Sequence, residues 1–206
     1  MNILFLGPEC QFIERHLIQK GHAIMRIEGK FDVNFLKKNN FDFCISYRYK
    51  SIIKSKEIEW FGKNIINLHI AFLPYNRGYD PNFWSFFENT PRGVTIHIID
   101  NGIDSGDILL QKKIYFDSTK ETLRTSYNIL SKTIEKLFVD NCEAILLQRI
   151  EPRPQKEDGT FHLSKDKNRF IYLLDKNSWD TPVSIIEQAG RHFHLGKRNM
   201  SNDENS

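Results

Sequence analysis

The first 46 residues of the chain alternate between short apolar runs and stretches whose apolar residues keep helical spacing. The apolar runs predict strands at 2–6, 22–27 and 41–46, and the spacing between them predicts helices at 11–19 and 33–38. A strand–helix order of this kind implies parallel strands joined by right-handed crossovers. The predicted fold class is therefore α/β, with a Rossmann-like, mostly parallel twisted sheet.

The most informative polar pair lies at the end of the next apolar run, which is bounded by Gly62 and Pro74 and contains Asn67 and His69. Successive side chains on a strand alternate between its two faces, so these two side chains point the same way. Pro74 ends the strand, and residues 76–78 have the chemistry of a turn. An amide and an imidazole are thus predicted side by side at the end of a buried strand.

A carboxylate is predicted to join them from the next hairpin. The stretch GVTIHIID is a second apolar strand, and a turn with Asp100, Asp104 and Asp107 leads from it into a return strand. An amide N–H can donate to a developing oxyanion, and a histidine held by a carboxylate can move a proton near neutral pH. Taken singly, a buried histidine is more often a core residue, and a turn aspartate usually serves only the turn. The occurrence of both stretches in this order favours the catalytic interpretation.

Four motifs in this region together resemble the folate-dependent formyltransferase family. In chain order they are Asn67-Leu68-His69, Leu73-Pro74-Tyr75-Asn76-Arg77-Gly78, Thr95-Ile96-His97 and Asp104-Ser105-Gly106-Asp107-Ile108. The resemblance covers roughly residues 1–150. Many relatives have serine two positions after the first histidine, where this chain has Ala71, so a hydroxyl that could serve a proton relay is absent from that position.

The resemblance implies formyl transfer from N10-formyltetrahydrofolate, used as a co-substrate, with no metal ion. The family's catalytic residues fall on Asn67, His69 and Asp104, where Asp104 would orient the imidazole and favour its protonated form. The segment after the third strand lines the pterin pocket in the family, and the turn after the catalytic strand faces the acceptor. By position, the implied contacts are Tyr49, Lys50, Ile52 and Asp100 with the cofactor, and Arg77, Tyr79, Asn82 and Trp84 with the acceptor.

The resemblance also implies a primary amine as the formyl acceptor. A nucleotide-linked dideoxy amino sugar, carried by dTDP, UDP or GDP and used for O-antigen or another surface polysaccharide, is favoured over glycinamide ribonucleotide. Aromatic residues crowd the segments 79–87 and 161–172, where they would contact a bulky nucleotide sugar. Family members that act on methionyl-tRNA have a C-terminal barrel, for which the segment after Pro154 is expected to be too short. A homodimer is left open.

Two other classes of function remain open from the sequence. His69, His97 and Asp104 have the composition of a two-histidine, one-carboxylate metal site, which would make the chain a metal-dependent hydrolase or oxygenase. The family pattern gives His97 no role as a metal ligand. A folate- or nucleotide-binding protein without catalysis is the second alternative, and the complete set of Asn67, His69 and Asp104 disfavours it.

The rest of the chain predicts a catalytic domain at 1–150, a small C-terminal α+β segment at 151–196 and a disordered tail at 197–206. Pro152 and Pro154 mark the boundary between the first two, and the tail has too few apolar residues to fold. Three further helices are predicted, at 81–89 with Asp80 as its cap, at 119–148 and at 179–188.

Composition narrows the setting of the protein. A net charge of +3 on 206 residues is too small to indicate nucleic-acid binding. The three cysteines follow no metal or disulfide spacing, which favours a reducing compartment. The start of the chain lacks the basic lead of a signal peptide, and no apolar run is long enough to span a membrane. A cytoplasmic protein without a membrane partner is expected.

Overall fold

A computed structural model describes residues 1–156, 158–174 and 177–203 of the chain. The strands within these ranges are β1 Asn2–Leu6, β2 Ala23–Ile27, β3 Phe43–Ser46, β4 Ile65–His69, β5 Arg77–Gly78, β6 Gly93–Ile98, β7 Ile108–Lys113 and β8 Phe161–His162. The α-helices are α1 Gln11–Gln19, α2 Val33–Asn39, α3 Ser55–Phe61, α4 Pro81–Phe87, α5 Leu123–Leu146, α6 Ser164–Lys167 and α7 Val183–Asp203, with 3-10 helices at Asn168–Leu174 and Ser178–Asp180.

The main sheet has six strands in the order β2-β1-β3-β4-β6-β7. The first four strands of this order are parallel to one another. Strand β6 pairs antiparallel with β4, and β7 pairs antiparallel with β6. Strands β1 and β3 are almost completely buried, as expected for parallel strands covered on both faces. The predicted Rossmann-like, mostly parallel sheet is confirmed.

Helices cover both faces of this sheet. On one face, α1 and α5 bury apolar side chains such as Leu17 and Ile134 against the sheet. On the other face, Leu36 of α2 and Phe61 of α3 pack on the strands. The long α5 begins after its cap Thr122, whose hydroxyl accepts a hydrogen bond from the Thr125 amide. The sheet is therefore held rigidly between two apolar layers, with its strand ends free to carry polar groups.

Helix α4 carries no solvent face. All seven of its residues are buried, and it packs against both α5 and α7. The side chain of Asp80 caps its first turn by accepting from the Phe83 amide at 3.3 Å, as predicted. A Cβ atom at Gly190 of α7 would lie 1.7 Å from the carbonyl oxygen of Phe87, so glycine is what allows α7 to approach α4 this closely.

The largest differences between the predicted elements and the structure lie in three places. Helix α3 was not predicted, and α5 starts at Leu123 because residue 119 still belongs to the turn before it. The helix predicted at 179–188 begins later and is longer, since α7 runs over Val183–Asp203. The predicted disordered tail thus overlaps the end of α7, and its last residues, 204–206, lie outside the described part of the chain.

After α5 the chain returns across the catalytic end of the sheet. We call residues 153–156 and 158–162 the strap. Arg153 forms an antiparallel bridge with Ile108, and β8 pairs in parallel with β5. The predicted boundary at Pro152 and Pro154 therefore precedes a segment that is hydrogen-bonded to the body of the protein. Within the described residues, no helix is both long and apolar enough to cross a bilayer.

Candidate active site

Strand β4 ends in the polar pair predicted from the sequence. Its apolar residues Ile65, Ile66 and Leu68 are buried in the sheet, which fixes the direction of Asn67 and His69. The register with β6 places His97 directly opposite Asn67. The amide Nδ2 of Asn67 lies 3.4 Å from Nε2 of His97, and the rings of His69 and His97 meet edge to face with centroids 6.2 Å apart. Two histidines and an amide thus share one end of the sheet.

Asp104 reaches this group from the turn between β6 and β7. Its Oδ1 accepts from Nδ2 of Asn67 at 3.1 Å and lies 3.4 Å from Nε2 of His97. Its Oδ2 accepts from the Gly78 amide at 2.9 Å and lies 3.7 Å from Nε2 of His69. The structure therefore brings together Asn67, His69 and Asp104, the three predicted catalytic residues. A carboxylate that accepts from two amides and faces an Nε2 atom of each imidazole is well suited to hold both rings in place.

The partners of His69 define its tautomer. Its Nε2 lies 3.3 Å from the backbone carbonyl oxygen of Asn76 and faces Oδ2 of Asp104. Both oxygens accept hydrogen bonds, so Nε2 carries the proton and Nδ1 is the basic atom of the neutral ring. Nδ1 of His97 lies 2.8 Å from the Ile98 carbonyl oxygen and is likewise protonated. Nε2 of His97 faces both Nδ2 of Asn67, which donates, and Oδ1 of Asp104, which accepts.

The pKa values of His69 and Asp104 are both lowered, which favours the neutral form of the imidazole and the ionised form of the carboxyl group. Burial lowers the pKa of His69 below the usual histidine value, and His97 lowers it further, although Asp104 and the Asn76 carbonyl raise it. Burial raises the pKa of Asp104, but His69, His97 and the Gly78 amide outweigh burial and leave that pKa well below its usual range. The resemblance implies that Asp104 favours the protonated form of the imidazole, and Asp104 does raise the pKa of His69. Burial overrides the effect of Asp104, and a neutral His69 beside an ionised Asp104 results.

Sequence reasoning missed two residues of the turn after β4. The Asn76 carbonyl accepts from His69, and the Gly78 amide donates to Asp104. Asn76 is fully buried with a positive φ of 59°, a conformation that asparagine tolerates better than most residues. Its amide N–H donates to the Thr160 hydroxyl of the strap at 2.8 Å. The Asn-Arg-Gly turn signal was visible in the sequence, but the directions of its backbone groups were not.

Two of the predicted cofactor contacts are exposed, and the other two are hydrogen-bonded within the protein. Ile52 is 81% exposed and Lys50 is exposed, so both have free surface. The Tyr49 hydroxyl donates to the Gly29 carbonyl, and Asp100 accepts from the Gly102 amide inside its own turn. Their roles as folate contacts stay predictions.

The predicted acceptor contacts divide into two pairs. Tyr79 is 51% exposed beside β5, and the guanidinium of Arg77 donates to the Gln155 side chain, so both lie at the surface of the turn. Asn82 and Trp84 lie elsewhere, because α4 is buried on all sides.

The side chain of Asn82 joins two helices. It donates to the Leu123 carbonyl at 2.9 Å and accepts from the Ser126 hydroxyl at 3.0 Å. The indole ring of Trp84 stacks on His162 with ring centroids 3.8 Å apart. Both side chains belong to the buried helix beneath the turn, and their contact with the acceptor stays a prediction.

Ala71 stands on the same strand-end loop and is buried. Its carbonyl accepts from the Thr95 hydroxyl at 2.7 Å, and that hydroxyl accepts from the Leu73 amide at 3.1 Å. Gln111 adds a hydrogen bond to the Leu73 carbonyl at 2.7 Å. These bonds hold the loop that follows His69 without any side-chain hydroxyl at position 71.

The geometry gives no support to the metal hypothesis. Among the residues that the structure describes, no group of three histidine, cysteine or acidic side chains is arranged to hold a metal ion. His69 and His97 face different oxygens of Asp104, and Nε2 of His69 also faces a backbone carbonyl. Nε2 of His69 and both ring nitrogens of His97 already face hydrogen-bonding groups of the protein.

An amide donor, a neutral imidazole and an ionised carboxylate at the strand ends of such a sheet define an acyl- or formyl-transfer site. A family model described as formyl transferase matches residues 26–141, which is more than half of the chain. The chain therefore belongs to the formyl transferase family.

Curated relatives differ in acceptor. The chain is 32% identical over 163 residues to a methionyl-tRNA formyltransferase of Thermodesulfovibrio yellowstonii, covering 76% of this chain and 53% of the relative. It is 29% identical over 159 residues to a dTDP-4-amino-4,6-dideoxyglucose formyltransferase of Mycobacterium bovis, covering 77% of this chain and 66% of the relative. The chain thus spans about half to two thirds of the length of these relatives.

A solved structure matches more completely. The formyltransferase PseJ from Anoxybacillus kamchatkensis, in complex with UDP-4,6-dideoxy-4-formamido-L-AltNAc and tetrahydrofolate, is 43% identical. The match covers 92% of this chain and 100% of that one, with a TM-score of 0.87. Phosphoribosylglycinamide formyltransferase from Bacillus halodurans matches at 17% identity and a TM-score of 0.59, which shows a shared fold alone.

Proposed function

We propose that this protein transfers the formyl group of N10-formyltetrahydrofolate to the amine of a nucleotide-linked amino sugar. The observation that carries the proposal is the cluster of Asn67, His69 and Asp104, held at the strand ends of a chain 43% identical to a formyltransferase solved with a formamido sugar and tetrahydrofolate.

In the proposed reaction the neutral amine attacks the formyl carbon and forms a tetrahedral intermediate. The negative charge develops on the formyl oxygen, where a positioned N–H donor stabilises it. Nδ2 of Asn67 has two hydrogens: one binds Asp104 at 3.1 Å, and the other faces His97 at the longer distance of 3.4 Å. The second hydrogen is the one that a formyl oxygen would take.

The proton balance fits the tautomer of His69. As the new carbon–nitrogen bond forms, the amine loses a proton, and Nδ1 of His69 accepts it. The bond from carbon to N10 then breaks, and the proton passes to N10 of the leaving tetrahydrofolate. Asp104, ionised and 3.7 Å from Nε2 of His69, stabilises the imidazolium while it exists. One proton moves from amine to N10, and no redox partner is needed.

The acceptor we favour is a UDP-linked 4-amino-4,6-dideoxy sugar. The formamide at carbon 4 of the PseJ ligand is the product of formylating an amine at that carbon. A dTDP-linked sugar is the closest alternative, because the Mycobacterium bovis relative acts on one. Such a product suits the assembly of a surface polysaccharide, such as O-antigen. All three cysteines are buried and free, in keeping with a cytoplasmic location, which stays a prediction together with the homodimer.

The acceptor is tested by supplying N10-formyltetrahydrofolate with UDP-, dTDP- and GDP-linked 4-amino-4,6-dideoxy sugars, glycinamide ribonucleotide or methionyl-tRNA. We expect formylation of the UDP-linked sugar, detected by mass spectrometry, with a kcat/KM at least about tenfold above that of the other acceptors. Thermal-shift titrations with UDP, dTDP and GDP measure the nucleotide preference independently, because a ligand that binds the native state raises Tm. Turnover of glycinamide ribonucleotide or methionyl-tRNA, with none on any amino sugar, would contradict the proposal.

Activity is expected to survive exhaustive dialysis against EDTA, because the proposed chemistry uses only hydrogen-bond donors and proton transfer. The measurement is the rate of formyl transfer before and after dialysis, with metal content followed in the same samples. Loss of activity that Zn²⁺, Mn²⁺ or Fe²⁺ restores would instead support the metal site of His69, His97 and Asp104.

A further inference from the structure

Beyond the three catalytic residues, we propose that Gln155 of the strap is a positioning residue that sets the catalytic carboxylate of Asp104. Its side-chain Nε2 donates to the carbonyl oxygens of Asp104 at 2.9 Å and Gly106 at 2.8 Å. Its Oε1 accepts from Nε and Nη2 of Arg77 at 3.1 and 2.6 Å. This role rests on the proposed function, since Asp104 matters only if the site transfers a proton.

These contacts close a ring around the catalytic carboxylate. Arg77 immediately precedes Gly78, whose amide donates to Oδ2 of Asp104. Gln155 therefore connects the turn that holds the carboxylate oxygen with the loop that carries its backbone. Each of the two loops is tied to the other at two points: through the Gly78 amide, and through the amide side chain of Gln155.

The loop that carries Asp104 has an unusual backbone conformation, which the hydrogen bonds of Gln155 help to hold. Asp104 has a positive φ of 50°, a sparsely populated conformation for a residue with a side chain. Gly106 packs so tightly that a Cβ atom there would lie 1.9 Å from the Ile98 carbonyl oxygen. The carbonyl oxygens of Asp104 and Gly106 both accept from the side-chain NH₂ of Gln155. An amide side chain is suited to this position because it supplies two N–H donors and also accepts from a guanidinium.

The consequence for the reaction is geometric. The distances from Asp104 to Nε2 of His69 and His97, 3.7 and 3.4 Å, are already at the outer limit of ion pairing. A shift of the loop by about 1 Å removes the carboxylate from both rings, and misplacements of that size cost up to about 100-fold in rate. Gln155 acts through Asp104 and has no proton-transfer role of its own.

Two substitutions separate the contacts. Gln155→Glu keeps the acceptor for Arg77 but turns a carboxylate towards the carbonyls of Asp104 and Gly106. Gln155→Leu removes all four hydrogen bonds at similar volume. The matched control is Gln19→Glu, the same change at an exposed residue at the end of α1.

We expect kcat to fall at least about tenfold in Gln155→Glu and in Gln155→Leu, with KM for the folate within about threefold of wild type. Gln19→Glu should retain wild-type kcat. Circular dichroism melts of each variant give the folded fraction by which rates are normalised. A normalised kcat for Gln155→Glu equal to that of wild type would overturn the proposal.

A second readout separates positioning from a merely structural role. His69 is faced by Asp104, His97 and the Asn76 carbonyl; Asp104 raises its pKa most, the Asn76 carbonyl raises it less, and His97 lowers it. Displacing Asp104 should therefore lower the pKa of His69 in Gln155→Leu, measured by NMR titration with the His69 resonance assigned from a His69→Ala sample.

Asp104→Asn is the positive control for that shift. An unchanged pKa in Gln155→Leu, beside a shifted one in Asp104→Asn, would contradict the positioning role. The titration needs no substrate. It therefore still tests Gln155 if wild type formylates no acceptor, an outcome that would overturn the proposed function instead.

Discussion

Replacing His69 with alanine is expected to lower kcat by at least about 100-fold while the protein remains folded. The buried imidazole is neutral, its Nε2 is committed to Asn76 and Asp104, and Nδ1 remains as the atom that takes the amine proton. Without it the proton must leave to water. KM for the nucleotide sugar should change much less than kcat, because the imidazole acts on the transition state.

The matched control for this variant is His192→Ala. His192 is exposed on α7, where its Nδ1 contacts only the Gln188 carbonyl of the same helix among the contacts described. The control should retain wild-type kcat. Steady-state rates on the same acceptor, together with melting curves, make the comparison. Near wild-type turnover in His69→Ala would remove this residue from the mechanism.

Asp104→Asn is the second large effect, with an expected loss of at least about 100-fold in kcat. An amide at this position brings an NH₂ group where three donors already converge, from Asn67, Gly78 and the Nε2–H of His69. It also removes the charge that stabilises the imidazolium.

The pH at which kcat declines should differ between wild type and Asp104→Asn in a defined direction. Because burial lowers the pKa of His69 below about 6.5, wild-type kcat should stay on its plateau down to a pH below that value and decline under it. Asp104 raises the pKa of His69, so Asp104→Asn should move the decline to still lower pH. A decline that moves to higher pH would contradict the assigned electrostatics.

Stability should depend on pH through the same carboxylate. The pKa of Asp104 is well below the unfolded value of about 3.9, so its contribution is present above that pH and is lost as pH falls through the native pKa. Wild type should therefore lose more stability than Asp104→Asn between pH 5 and pH 3, followed by thermal melts. Asp107→Asn, an exposed aspartate on the same loop, is the matched control and should behave as wild type in rate and stability.

The sequence was sufficient for the sheet and for the placement of Asn67 and His69, because both depend on local pattern. Continuous apolar runs identified β1, β3 and β4, and the alternation of side chains placed Asn67 and His69 on one face. The hairpin that follows brought in three aspartates, and only the family resemblance selected Asp104 among them.

The remaining contacts of the site depend on tertiary structure. Gln155 meets Asp104 across 51 residues, and Thr160 meets Asn76 across 84. No periodicity links such positions. The same limitation applies to the surroundings of Asn82 and Trp84. The local pattern predicts α4 but not that α5, α7 and Phe170 pack around it, and the predicted α7 is too short to do so.

Because of the strap, this protein is unsuited to chimeras joined at the predicted boundary of Pro152 and Pro154. The segment matched by the family model, 26–141, contains Asn67, His69 and Asp104 but ends before Gln155 and Thr160. A chimera that joins the strands of one relative to the C-terminal region of another at Pro152 would therefore combine the loops of the site with a strap from a different protein. Experiments that transfer acceptor preference between relatives should therefore exchange the loops of Gly78 and Asp104 together with the strap.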